Sequence, residues 1–118
     1  GMRQSYVVVE ANLNSRDTSV ARRNQVLYSI GKLRIHQFDS RDIERVIQKE
    51  FSHTVPETNM GIGSILTDLS RGGDALLVRN EKTGQYRVKD PRYTMCIRVV
   101  LYKDKSSGKV AKKKFRND

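Results

Sequence analysis

The sequence predicts a single α+β domain, and three patterns in it carry that reading. Residues 38–89 run as helix, short turn, helix and two-stranded hairpin. A further helical stretch precedes them. Segments rich in β-branched residues lie outside this unit at both ends, over 4–14 and 92–103. At 118 residues the chain suits one domain with one core. The expected organisation is a strand at 4–14, a helical and hairpin unit at 18–89, a strand at 92–103 and a basic tail at 104–118.

Tyr6-Val7-Val8-Val9-Glu10-Ala11-Asn12-Leu13 reads as a strand because of its β-branched run. Val7, Val9, Ala11 and Leu13 then share one face. Asn14 to Asp17 breaks the pattern. Asp17 or Thr18 is a candidate cap for a helix from Ser19 to about Leu33. Val20, Leu27, Ile30 and Leu33 are its apolar positions, Gly31 weakens its end, and Arg22 and Arg23 are expected on a solvated face, with a phosphate contact as the alternative. The link Leu33 to Phe38 follows.

Asp39 or Ser40 caps the next helix, since a short oxygen-bearing side chain satisfies an orphan amide of the first turn. Asp42 and Glu44 suit the positive end of the helix dipole. Ile43, Val46, Ile47 and Phe51 keep the i, i+3, i+4, i+8 spacing of one buried face. Pro56 is comfortable at a first helical position, so the spacing predicts a second helix from Pro56 to about Arg71. Ile62, Ile65, Leu66 and Leu69 form its stripe, and Gly72-Gly73 stops it. Gly61 and Gly63 leave the reading open between close approach of the backbone to a partner and, on the other side, close packing against a neighbouring helix or a helix that starts only near Gly63.

Ala75–Arg79 and Gln85–Lys89 flank a glycine-terminated connection, which is a hairpin signal. Alternation turns Leu76, Val78, Tyr86 and Val88 inward. It turns Arg79, Gln85, Arg87 and Lys89 outward, with Lys82 at the tip. A basic outer face serves contact with nucleic acid, and it equally protects a sheet edge from aggregation.

This succession resembles a winged helix-turn-helix domain. The resemblance covers about half the chain and rests on the Leu66-x-x-Leu69 spacing, the glycines after it and the short hairpin. It implies a three-helix core with a hairpin wing, and a small strand near Ile35 pairing with that wing. It also implies duplex DNA binding, with the second helix in the major groove. Thr58, Asn59, Ser64, Thr67 and Arg71 would then lie near bases or phosphates, and Arg79, Lys82 and Arg87 near phosphates. The chain departs from the pattern in the charge of that helix, where Glu57 and Asp68 are acidic and Arg71 is the basic residue.

Net charge is +10, from 23 basic and 13 acidic residues, and the last 16 residues carry half of that excess. Such a chain attracts polyanions at long range. Lys112, Lys113 and Lys114 are candidate phosphate contacts in the tail, which is read either as a hairpin turning at Lys105–Gly108 or as a solvated extension. No apolar run reaches the 18 or more residues of a membrane span. Gly1 ahead of Met2 reads as a cloning remnant, with no signal peptide after it. The lone Cys96 excludes an internal disulfide and suits a reducing, cytoplasmic setting, with nucleoid or nuclear association under the DNA-binding reading.

Catalytic patterns are missing. His36 and His53 are 17 residues apart, and no Cys or His cluster has zinc-site spacing. Gly61-Ile62-Gly63 lacks the following glycine and the preceding strand of a dinucleotide site. The expectation is a non-enzyme without metal or cofactor. The leading function is duplex DNA binding in a transcription-regulation role. The alternatives are a protein-interaction module on the same fold, and nonspecific RNA or single-strand binding led by the tail. Both faces of the terminal strands are apolar, which favours their pairing and a homodimer through them.

Overall fold

In the computed structural model, which describes residues 1–14 and 20–113, the chain is an α+β fold with five helices and two small antiparallel sheets. The helices are α1 (Met2–Ala11), α2 (Arg22–Lys32), α3 (Ser40–Glu50), α4 (Ile62–Leu69) and α5 (Pro91–Val100). Strands β1 (Leu77–Arg79) and β2 (Tyr86–Val88) form the first hairpin. Strands β3 (Leu101–Lys103) and β4 (Val110–Lys112) form the second. Among the described residues no helix is long and apolar enough to cross a membrane.

Helix α2 is the spine. Every residue from Gln25 to Gly31 is buried, with α3, α4 and α5 packed around it. Its two buried polar side chains are satisfied: Ser29 donates to the Gln25 carbonyl at 2.7 Å, and Gln25 donates to Thr54 Oγ1 at 3.2 Å. Gly31 is the crossing point with α5. A Cβ there would lie 2.7 Å from Ile97 Cγ2, so the two helices approach as only glycine permits. The expected weakening of the helix end by Gly31 is thus a packing requirement. The proposed caps Asp17 and Thr18 lie outside the described residues.

The strand predicted over 4–14 is corrected to a helix, and that over 92–103 to a helix as far as Val100, with Leu101–Lys103 extended as β3. Residues 2–11 coil because burial follows the helical period: Ser5, Val9 and Asn12 are buried, while Val7 is 60 % exposed on the opposite side. Residues 91–100 do the same. Cys96, Ile97 and Val100 are buried, and Met95 and Val99 are more than half exposed. Helix propensities differ by only tenths of a kcal/mol between valine and better formers, so packing of α1 on α5 decides. Asp90-Pro91, read as a turn, is the start of α5. The Asp90 side chain accepts from the Arg92 amide at 2.9 Å, and Pro91 takes the first helical turn. The anticipated pairing of the terminal strands is therefore replaced by packing of α1 on α5. The tail's hairpin alternative is the one found: Tyr102 is opposite Ala111, and Gly108 turns the chain at φ 72°.

The central segment keeps closer to expectation. Asp39 caps α3, accepting from the amides of Arg41 (3.0 Å) and Asp42 (3.2 Å), while Asp42 Oδ2 accepts from the Asp39 amide (2.9 Å). Ile43, Ile47 and Phe51 are fully buried. Helix α4 is shorter than the predicted 56–71. It has 8 residues and begins after Gly61, whose φ of 74° only glycine adopts freely. The alternative start near Gly63 was the sound one. Ile62, Leu66 and Leu69 form its buried stripe.

The first hairpin pairs Leu77 with Val88 and Arg79 with Tyr86. This inverts the predicted face of β1: Leu77 is buried and Val78 half-exposed, and Arg79 shares a face with Tyr86. Between α2 and α3, Phe38 rather than Ile35 pairs with the hairpin, through an antiparallel bridge to Tyr86. Ile35 is 53 % exposed.

Candidate nucleic-acid interface

Helix α4 and the first hairpin enclose a groove of about 910 Å³. Local chemistry fixes its two walls. Leu69 and Leu76 are fully buried, and the Leu76 amide donates to the Leu69 carbonyl at 2.9 Å, which returns the chain from α4 into β1. The Tyr86 hydroxyl lies 3.2 Å from Thr67 Oγ1. Thr67 uses its own proton on the Gly63 carbonyl at 2.9 Å, so Tyr86 is the donor across the groove floor.

Arg71, Arg79 and Lys89 supply positive charge to the lining, and Asp39 and Glu81 supply the carboxylates. Glu81 accepts from Arg79 at 2.8 Å. Asp39 is engaged as the α3 cap. Against the desolvation of partial burial, amide donation from Asp42 and Arg41 keeps its carboxyl below the ordinary value. Arg71 and Lys89 have no carboxylate partner among the described residues. Asp68, the acidic residue of α4, is bound by Arg23 Nη1 from α2, and the Arg23 Nε also donates to the Asn12 carbonyl. Arg23 is therefore a clamp between α1, α2 and α4, and not part of a solvated face. Arg22 is likewise structural, donating to the Thr54 carbonyl at 2.7 Å, and burial lowers its pKa.

Of the residues singled out in the sequence, Thr67, Arg71 and Arg79 line this groove. Thr58 and Asn59 are exposed in the loop ahead of α4, off the helix itself. Asn59 Oδ1 accepts from the Gly61 amide at 2.7 Å, leaving its NH2 group outward. Ser64 turns its hydroxyl back to the Gly61 carbonyl at 3.0 Å. Lys82 is exposed at the hairpin tip, and Arg87 lies beside Val78 on the hairpin's other face. Lys112 is elsewhere, on β4, paired with Glu10 of α1 at 2.5 Å. That contact lowers the Glu10 carboxyl and raises the Lys112 ammonium. Lys113 follows it, with its amide donating to the Val100 carbonyl at 2.9 Å, and Lys114 lies outside the described residues.

Lys89, just beyond β2 and read from the sequence on the outward basic face of the hairpin, also lines the groove. The neutralising role of Arg23 spans 45 residues and leaves no local trace. Among the described residues no group of three or more His, Cys, Asp or Glu is arranged to hold a metal ion. Compared with known proteins, the chain matches no family model, no curated protein and no solved structure.

Proposed function

We propose that the protein binds duplex nucleic acid, DNA foremost, as a winged-helix domain. In this reading α4 enters the major groove and the β1–β2 hairpin lies along the phosphate backbone. The observation that carries it is the convergence of Arg71, Arg79 and Lys89, from α4's end and the hairpin, on one groove. The order α2, bridge at Phe38, α3, α4, hairpin supports the winged-helix scaffold. An 8-residue α4 is about 12 Å long, comparable to the width of the major groove. Capture of Asp68 by Arg23 offsets the acidic residue that most opposes phosphate contact.

The test is fluorescence anisotropy with duplex DNA, single-stranded DNA and duplex RNA over a salt series. Duplex DNA should bind tightest. Each phosphate contact contributes roughly −0.9 to the slope of log K against log salt. Arg71→Gln and Lys89→Gln should each flatten that slope by about one contact. Absence of binding to all three polymers at low salt, or indifference to both substitutions, would overturn the reading.

A second reading, a protein-contact module, has a separate observation behind it. Met95 and Val99, one turn apart on α5, are 58 % and 53 % exposed. Self-association through α5 would appear in light scattering as a mass that doubles with concentration and falls back in a Met95→Lys/Val99→Lys variant.

A further inference from the structure

A second cleft, of about 330 Å³, lies between the α2–α3 link, β2 and the start of α5. Its volume is at the small end of ligand cavities, which run from about 300 to 1,000 Å³. Its floor is apolar: Ile30 and Phe38 are each 2 % exposed, and half-buried Leu33 and Val88 adjoin them. Its polar lining comes from Arg34, His36, Thr94 and Arg98, of which the two arginines carry fixed positive charge. Arg98 is held in place by neutral partners, donating from Nε to the Gly31 carbonyl at 2.8 Å and from Nη2 to the Leu33 carbonyl at 3.0 Å. Arg34 is exposed and has no carboxylate partner among the described residues. Among the described residues no carboxylate lines the cleft. The acids adjoining it along the chain are both engaged, Asp39 as the α3 cap and Asp90 by the Arg92 guanidinium at 2.7 Å.

An apolar floor below two guanidinium groups whose charge is not cancelled selects one ligand chemistry. The body of the ligand displaces water from Leu33, Ile35 and Val88, which line the cleft above that floor, and an anionic head meets the Arg34 guanidinium, whose planar fork matches a carboxylate, beside the positive charge of Arg98. We infer that this cleft is a binding site for a small apolar carboxylate, an aryl- or alkyl-substituted acid. The site does not rest on the nucleic-acid reading. It does abut the hairpin, because Val88 belongs to β2 and Phe38 bridges to Tyr86. A bound acid would therefore sit against the base of the element that walls the main groove.

The probe is 4-phenylbutyrate, compared with its amide and with 4-phenylbutylamine, titrated into the full chain with methyl NMR as readout. The acid should shift the Ile30, Ile35 and Val88 methyls. It should bind about tenfold or more tighter than the amide, as a charge-assisted contact provides, and the amine should not bind. Arg34→Gln, at an exposed position where folding is indifferent, should narrow the difference between acid and amide. Arg71→Gln should leave it intact. Equal affinity for acid and amide, shifts confined to other methyls, or no shift at millimolar acid would overturn the assignment.

Discussion

Phe38 and Tyr86 exchange two backbone hydrogen bonds, Phe38 N–H to Tyr86 O at 2.9 Å and Tyr86 N–H to Phe38 O at 2.8 Å. This pair fastens the link before α3 to the hairpin's second strand. The Tyr86 side chain then reaches α4 through Thr67. One residue thereby joins three elements, and the groove's shape depends on it. Tyr86→Phe should cost about 0.5–1.5 kcal/mol by removing the cross-groove hydrogen bond while keeping the ring. Thr67→Val should cost a similar amount, and the double variant less than the sum. Strict additivity in chemical denaturation would mean that the two hydroxyls do not act on each other.

Gly31→Ala should destabilise the fold by about 1–3 kcal/mol, because the added methyl meets Ile97 at the α2–α5 crossing. The change in most helices would be neutral or favourable, so the sign is informative. A companion Ile97→Val change should recover part of the loss, and a stabilised single variant would contradict the tight crossing.

Leu66 is fully buried on α4, in the same core cluster as Ile47 and Leu69. Leu66→Ala should cost about 2–5 kcal/mol through lost transfer energy and the cavity left behind. A change within about 0.5 kcal/mol in urea denaturation would mean that α4 does not pack on that face.

Asp90 should titrate at about 2, below the ordinary 3.8, because Arg92 holds its carboxylate by side chain and amide. A depressed folded pKa means that the stabilisation is complete above the unfolded value. It is then lost as pH falls from about 4 through about 2. Part of the acid-induced loss of melting temperature in that window should therefore be missing in Asp90→Ala, which starts lower at neutral pH. Carboxyl NMR that finds Asp90 at its ordinary value would remove this contribution.

The two sources of positive charge should separate in salt titrations. Lys112 is already paired with Glu10, away from the groove. Lys112→Gln should leave the salt slope of duplex binding within about half a contact of the parent, whereas Lys89→Gln removes one. The reverse ranking would move the interface to the second hairpin.

The parts that were legible in the sequence are those with local chemical signals. Asp39 three residues before Asp42 announced the α3 cap, Ile43 and Ile47 its buried face, and Gly84 the turn of the first hairpin. The terminal helices were not legible, because Val7-Val8-Val9 and Val99-Val100 satisfy the composition of a strand. Only the burial of Ser5, Val9 and Asn12 at helical spacing, on a neighbour far along the chain, settles them. Asp90-Pro91 did hold the clue for α5, since a capping aspartate followed by proline opens helices as readily as turns. In the groove, Arg71 and Arg79 were legible as exposed cations next to recognisable elements. The face inversion of β1 was not, because Leu76, Leu77 and Val78 are all apolar and the register is fixed only by Tyr86 and the Phe38 bridge.

Cys96 is fully buried in α5, in the core cluster that also holds Val9 of α1, and burial raises the pKa of its thiol. The folded chain therefore denies alkylating reagents access to this sulfur and disfavours its thiolate. Modification must wait for α5 to lift away, so the rate of labelling this one sulfur counts the openings of the domain. The protein carries its own clock for native-state fluctuations, readable by mass spectrometry without an engineered label.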